Sequence, residues 1–458
     1  VVTVAITNTL VADKGIKDED CIFQVGINCK AETGKIGTYP KTESLLTTDE
    51  EAELRLRYDY EKVFAIGHGC AGEWDGNEAD GITVRSEFIP AVNVPPTKVI
   101  VDENASILSL AFLRDSPIND LESGLESFVQ GYEEWLKIEK SKVADEALHD
   151  EGKEAAQRIF IRIETAIERM RSGIRFLKNP SAHQTFQLAH SVMIRQMEHS
   201  EKEFGGGQFT MEQAPEMPAP SRYDGSTKAW RPFQLAYILM CLESVIDHES
   251  DHRETVDLIW ASTGAGKTEA YLALAAMSII HRRINDQNSS KGTVVLTRYT
   301  LRLLTLQQFE RTARLACALD GLRRESPDNL LGTEEISIGL WVGEDTPRSF
   351  ADAKKKADEI FSAALPQEVS GFPLRKCPWC GSEIVPKKDT GFENKYGFRW
   401  DNNSFEFFCP NTKCDFNDHL PIQIVDDALY ESPPTILIGT VDKYARIPWL
   451  EGPGNFFG

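Results

Sequence analysis

The chain has 458 residues, enough for two to four domains with sizeable cores, and its 41% hydrophobic and 26% charged residues are those of a soluble globular protein. No apolar run reaches the length of a membrane span, and residues 1–20 lack the basic-then-apolar pattern of a secretory signal, which leaves no membrane role and favours a reducing cytoplasm. The net charge of −21 argues against a general nucleic-acid binder, yet it is uneven: residues 101–154 hold 14 acidic against 5 basic side chains, and residues 281–324 hold 9 basic against 3 acidic.

In chain order, residues 1–114 alternate short apolar runs with turn signals and are expected to form a β-rich N-terminal module. The runs are Cys21–Ile27, Val63–Gly67, Ile82–Val84 and Leu108–Leu113. Gly67-His68-Gly69-Cys70 reads as a glycine-rich turn, since no orienting acid can be located for a His/Cys pair. Residues 115–203 are expected to be helical, with Ile159, Ile163, Ile167, Met170, Ile174 and Leu177 spaced three and four apart as one core stripe. Residues 204–227, with Gly205, Gly206, Gly207 and then Pro215, Pro218 and Pro220, read as a linker or flexible loop. From 228 to 345 strand and helix patterns alternate, and the pattern resumes over 425–458. Strands are expected at 256–260, 293–297, 336–342 and 435–440, which implies an α/β unit with a parallel sheet covered by helices. The chain does not begin with Met, and we expect it to be a segment of a longer protein.

The run Val256–Trp260, the octapeptide Ala261-Ser262-Thr263-Gly264-Ala265-Gly266-Lys267-Thr268 and the helical pattern from Glu269 give the strand, loop and helix that a phosphate-binding loop requires. Gly264 and Gly266 allow the tight turn that brings backbone N–H groups to phosphate oxygens. A helix opening at Lys267 adds its positive dipole end. Thr263, Gly264, Ala265, Gly266, Lys267, Thr268 and Glu269 are therefore the expected nucleotide contacts. Lys267 would neutralise the β- and γ-phosphates, and the Thr268 hydroxyl would ligate Mg²⁺. Upstream, Gln234 in Arg231-Pro232-Phe233-Gln234 can offer an amide donor and acceptor to an adenine edge. Downstream, Thr297, Arg298, Tyr299 and Arg302 follow a strand, where open α/β sheets place ligands, and suit a sugar–phosphate backbone with a stacked base.

Cys377-Pro378-Trp379-Cys380 and Cys409-Pro410-Asn411-Thr412-Lys413-Cys414 are two knuckles separated by 28 residues. They can complete a tetrahedral, structural Zn²⁺ site within an insertion spanning 346–424, the alternatives being disulfides or redox pairs. Cys21, Cys29, Cys70, Cys241 and Cys317 are scattered and read as small hydrophobes.

Together these motifs resemble helicase superfamily 2. Gln234 matches its upstream glutamine motif, residues 261–268 its motif I, Thr297–Gln308 its motif Ia, Trp341-Val342-Gly343 its motif Ib, and Thr440-Val441-Asp442-Lys443-Tyr444 its motif Ic. More narrowly, Lys267–Leu272, Thr297–Thr305, Gly339–Gly343, Gly439–Ala445 and Phe64–Cys70 resemble the DrmA family, the helicase subunits of DISARM anti-phage systems. The resemblance implies a RecA-like P-loop NTPase lobe with a zinc-binding insertion. It implies ATP and Mg²⁺ as ligands and backbone contacts from Gly343 and Thr440. It also implies movement on DNA, single-stranded or with a single-stranded overhang, and an accessory subunit, DrmB. The superfamily places an Asp-Glu-x-His box one strand after motif Ic. Nothing after Thr440 supplies it, so one lobe of a two-lobe motor is expected. The alternative reading is an ATP-gated DNA-binding scaffold without strand-separating activity.

Overall fold

The computed structural model describes residues 1–9, 17–40, 48–77, 81–91, 106–145, 150–261, 264–286, 291–300, 302–343, 346–369, 372–388, 391–392 and 395–457. The chain divides into two compact units, Val1–Lys98 with Glu134–Glu164, and Val99–Glu133 with Thr165–Gly458. Among the described residues no helix is long and apolar enough to cross a membrane.

The first unit holds β1 (Asn28–Lys30), α1 (Asp49–Arg57), β2 (Ala71–Asn77) and β3 (Gly81–Glu87). The strands form an antiparallel sheet in the order β1-β3-β2. Helix α1 starts where Thr48 and Glu51 cap each other: Glu51 N–H donates to Thr48 Oγ1 at 3.2 Å, and Thr48 N–H donates to Glu51 Oε2 at 3.0 Å. The expected strand at Ile82–Val84 lies inside β3, whereas Cys21–Ile27 and Val63–Gly67 form none. The Gly67–Cys70 turn does form, with Gly69 at φ 76° and both His68 and Cys70 exposed.

Leu108–Leu113, expected as a strand, belongs instead to α2 (Leu110–Asp115) and the turn before it. Ser109 caps that helix by accepting from Phe112 N–H at 3.4 Å, and Leu110 and Leu113, one turn apart, are both fully buried. A short apolar run does not distinguish strand from helix by pattern alone. Helices α3 (Ile118–Asp145), α4 (Asp150–Phe176) and α5 (Pro180–Glu198) follow. Ile167, Met170, Ile174 and Leu177 of the expected stripe are buried, and Ile159 and Ile163 half-buried.

The second unit continues with α6 (Pro220–Asp224), α7 (Pro232–Ile246), α8 (Lys267–Asn285), β4 (Val295–Tyr299), α9 (Arg302–Glu325), β5 (Ile338–Trp341) and α10 (Phe350–Ser362). The hairpin β6 (Phe398–Trp400) and β7 (Phe405–Phe407), then β8 (Ile422–Gln423), α11 (Asp426–Glu431), β9 (Ile436–Thr440) and α12 (Val441–Tyr444) complete it. Its main sheet is parallel, in the order β4-β9-β5-β8. Every residue of β5 is buried, as are Ile436–Gly439 of β9, because both faces of these central strands are covered. Helix α9 packs along β4, β5 and β9, while α8 packs against α5 and α7. Trp341 and Leu437 join Leu429 and Phe456 in one buried cluster.

Val256–Trp260, expected as the buried strand before the phosphate loop, is neither buried nor a strand. Val256, Leu258 and Trp260 are 94%, 76% and 89% exposed. The alternation runs inside out, and Arg169 is the cause. That arginine is 6% exposed and needs an anion, which Asp257 supplies with both carboxylate oxygens, one at 2.8 Å from NH2. Burial works to raise the Asp257 carboxyl, but the bond and charge of Arg169 outweigh it and hold it below the ordinary carboxylate range. With Asp257 turned inward, the extended backbone turns its neighbours outward.

Candidate nucleotide and zinc sites

Gly264 and Gly266 stand at φ 82° and 87°, and Gly266 caps α8, whose first residues are Lys267 and Thr268. This left-handed turn followed at once by a helix N-terminus can present backbone N–H groups to an anion. Thr263 lies outside the described residues. Lys267 Nζ donates to Ala261 O at 2.5 Å, so the ammonium reaches back across the loop.

Two side chains brace the loop from α7 and its cap. Arg231 NH1 donates to Ala265 O at 2.6 Å, and Gln234 Nε2 donates to Gly266 O at 2.6 Å. Gln234 Oε1 accepts from Arg231 N–H at 2.8 Å, and the residue is 5% exposed. Gln234 is therefore a strut between α7 and the loop in this structure, with both ends of its amide engaged by the chain. Glu269, in the first turn of α8, pairs with Arg311 of α9 at 3.3 Å.

The Thr268 hydroxyl sits in a set of polar groups with Gln308 and Tyr299 of the expected motif Ia and with Tyr271, which was not among the expected contacts. Thr268 donates to Gln308 Oε1 at 3.4 Å, and Tyr271 OH lies 3.3 Å from Thr268 Oγ1 and 3.0 Å from Tyr299 OH. Burial pushes the Tyr299 phenol well above its ordinary value, so it stays protonated. Tyr271 lies one helical turn after Thr268, a spacing that could have marked it.

The sheet brings the other expected contacts to one edge. Tyr299 pairs with Thr440, and Arg298 with Gly439, so Thr297, Arg298, Tyr299 and Thr440 share the carboxyl ends of β4 and β9. Gly343 follows β5 by two residues, and Arg302 opens α9. Arg298 is exposed and Thr297 and Thr440 are half-buried.

Most of the basic run at 281–324 is occupied within the fold. Arg283, 1% exposed, donates to Glu334 O at 2.7 Å and Glu335 O at 3.0 Å. Arg314, 6% exposed, donates to Pro378 O at 2.9 Å and Gly205 O at 3.1 Å. Arg323 and Arg324 both pair with Asp320 at 2.7 Å. The excess of positive charge in the sequence is thus not a continuous surface track.

Cys377, Cys380, Cys409 and Cys414 are all buried, with sulfur atoms within 4.8 Å of one another. Gly381 N–H donates to Cys377 O at 2.9 Å, and Cys414 N–H to Asn411 O at 3.0 Å, closing each knuckle. Burial pushes the Cys377 thiol well above its ordinary value. Four thiols drawn this close in a dry site fit a divalent cation that stabilises their thiolates, and a tetrahedral Cys₄ set fits Zn²⁺ with no open position.

Residues 204–227 do not behave as a free linker at their glycines. Gly205 N–H donates to Trp379 O at 3.2 Å, Phe209 N–H to Gly381 O at 2.9 Å, and Lys376 Nζ to both Gly205 O and Gly207 O at 3.0 Å. A Cβ on Gly205 would lie 1.9 Å from Pro378 O. Gly205 lets this segment lie against the first cysteine knuckle. His199, at the end of α5, stacks on Trp379 with ring centroids 3.4 Å apart.

No protein-family model matches the chain. Among curated proteins it is similar to the DISARM protein DrmA of Bacillus paralicheniformis, with 31% identity over 466 residues that cover 96% of this chain and 39% of that protein. The chain therefore spans about two-fifths of the length of this relative.

Proposed function

We propose, from the likeness to DrmA and the geometry of residues 264–268, that this chain is the nucleotide-binding part of an ATP-driven DNA helicase or translocase. The relative's name supports a place in a DISARM anti-phage system. The cytoplasm is then its compartment, the accessory subunit DrmB its partner, and DNA with a single-stranded portion its track. The observation that carries the reading is the left-handed Gly264/Gly266 turn at the N-terminus of α8, in the same unit as the carboxyl ends of a parallel sheet.

The loop N–H groups and the α8 dipole would hold the phosphates of ATP. Lys267 would exchange Ala261 O for a phosphate oxygen, and the Thr268 hydroxyl would hold Mg²⁺. Mg²⁺ supplies charge neutralisation at the transferring phosphoryl group. Glu269 and Gln234 would keep α8 and the loop in register. Thr297, Arg298, Tyr299, Arg302, Gly343 and Thr440 would contact the nucleic-acid backbone. Zn²⁺ would be structural and would fix the insertion on α5 and α9.

The test is equilibrium binding of a fluorescent ATP analogue to the intact protein, followed by ATP hydrolysis with and without single-stranded DNA. Lys267→Ala removes a charge-assisted contact of about 1.5–3 kcal/mol, an affinity loss of roughly 10- to 150-fold, and abolishes hydrolysis. Equal binding by the wild type and the variant defeats the proposal. Nucleotide binding without DNA-stimulated hydrolysis assigns the loop to an ATP-gated DNA scaffold instead.

A further inference from the structure

We infer that Tyr271, Gln308 and Tyr299 form a hydroxyl relay that positions Thr268 for a divalent cation and makes that position depend on the carboxyl end of β4. The inference rests on the nucleotide-binding reading above and goes beyond it by naming how a bound strand is sensed at the phosphate loop.

Each hydroxyl has one proton to give and lone pairs to receive with. Gln308 Oε1 can only accept, and two hydroxyls reach it, Thr268 at 3.4 Å and Tyr271 at 3.4 Å. Tyr271 OH also lies 3.3 Å from Thr268 Oγ1, so its proton is shared between Thr268 and Gln308. With that proton turned toward Thr268 and Gln308, Tyr271 accepts from Tyr299 OH at 3.0 Å. Thr268 Oγ1, with its proton on Gln308 and Tyr271 beside it, keeps lone-pair capacity for one bond to a hard cation.

Tyr299 is the last residue of β4, paired across the sheet with Thr440, and it follows Arg298, which is exposed at the same strand end. A polyanion drawn to Arg298 and Thr440 therefore acts on the residue that starts the relay. The ligand class at that end is a nucleic-acid backbone, and the response is a change in how readily Thr268 accepts a divalent cation. Tyr271 and Gln308 are positioning residues in this scheme.

The experiment titrates Mg²⁺ against a fixed amount of fluorescent ATP analogue in the intact protein, with and without single-stranded DNA. Wild type binds nucleotide in a Lys267-dependent way and needs less Mg²⁺ when DNA is present. Tyr271→Phe removes one hydrogen bond to Thr268 and raises the half-saturating Mg²⁺ about three- to tenfold, the range of a single net hydrogen bond. Its Mg²⁺-free nucleotide affinity and melting temperature stay at wild-type values, which a merely structural role would not produce. Tyr299→Phe keeps the Tyr271 donor but cuts the link to the strand end, so at DNA concentrations that saturate the variant the Mg²⁺ response to DNA disappears. Gln308→Leu raises the Mg²⁺ requirement as Tyr271→Phe does, and serves where that variant folds poorly. The relay is overturned when the tyrosine variants keep the wild-type Mg²⁺ and DNA responses, or lose nucleotide affinity equally with and without Mg²⁺. Wild-type protein that binds no nucleotide, or binds it as well after Lys267→Ala, removes the parent reading and the relay together.

Discussion

Gly205→Ala is the sharpest probe of how the first cysteine knuckle is seated. The added methyl would lie 1.9 Å from Pro378 O, 2.8 Å from Pro378 C and 2.9 Å from Arg314 Nε. Backbone cannot yield as a flexible side chain does, so the two segments must part. Parting breaks the bond from Gly205 N–H to Trp379 O, worth about 1 kcal/mol net. It also strains the bonds from Arg314 to Pro378 O and Gly205 O, worth about 1.5–3 kcal/mol for a charged donor. Arg314 is 6% exposed, so solvent cannot replace those acceptors without further opening. The expected cost is roughly 2.5–4 kcal/mol, read as a shift in the urea midpoint of the intact protein, with faster metal loss to a chromogenic chelator. Gly131→Ala is the control: Gly131 lies inside α3 with nothing near its missing Cβ, so alanine should be neutral or stabilise by about 0.5–1 kcal/mol. A Gly205→Ala shift below about 1 kcal/mol with unchanged metal loss would mean that the three glycines are only a spacer.

Two further outcomes follow from named groups. His190 is fully buried, accepts from Trp230 Nε1 at 3.0 Å on Nε2 and lies 2.7 Å from Phe186 O on Nδ1, and burial lowers its pKa from 6.5 to about 4. The unfolded chain binds the proton below about pH 6.5 while the folded ring refuses it until about pH 4. Stability is therefore full above pH 6.5 and falls as pH drops through that window, by up to about 3 kcal/mol. Melting temperatures measured between pH 8 and 4.5 should trace this fall, and His190→Asn should lessen it by His190's share, the remainder coming from His199, which burial lowers to about 3. Arg298→Ala should reduce the salt slope of DNA binding by about one phosphate contact, whereas Arg323→Ala, whose cation is already paired with Asp320, should leave that slope unchanged. Equal slopes for the two variants would show that the strand end is not the contact.

What could be read from the sequence was what neighbouring residues decide among themselves. Parallel strands buried on both faces are continuous apolar runs, and β5 and β9 were visible as such at Ile338–Trp341 and Ile436–Thr440. The four cysteines were visible because a knuckle is set by spacing, and their sulfur atoms do meet. Long-range pairing was not legible. Val256–Trp260 has the apolar content of a buried strand, but its orientation is set by Arg169, 88 residues earlier than Asp257. The three glycines carry the composition of a linker, yet a Cβ on Gly205 would meet the distant Pro378 O, and one on Gly206 or Gly207 would meet Ser200 O or Lys202 O of the folded-back chain. The basic run at 281–324 counts charges without their partners, and Asp320 with the carbonyls of Glu334 and Glu335 engages several of them.

The same distinction bears on Gln234. Its position before the loop was legible, and an adenine reader is what an amide there suggests. In the fold the amide bonds Arg231 N–H and Gly266 O, and a Cβ on Gly266 would lie 2.8 Å from its Nε2, so glutamine and glycine are fitted to each other. A strut and a reader leave different marks. Removing a strut lets the loop relax and weakens every nucleoside triphosphate alike, because all share the phosphates that the loop N–H groups hold. Removing a reader weakens ATP alone and leaves GTP where it was, because only the base edge differs. The amide can serve both roles only where its second N–H and second lone pair reach the base while the first pair stays on the loop, and at 5% exposure that requires α7 to shift when nucleotide arrives.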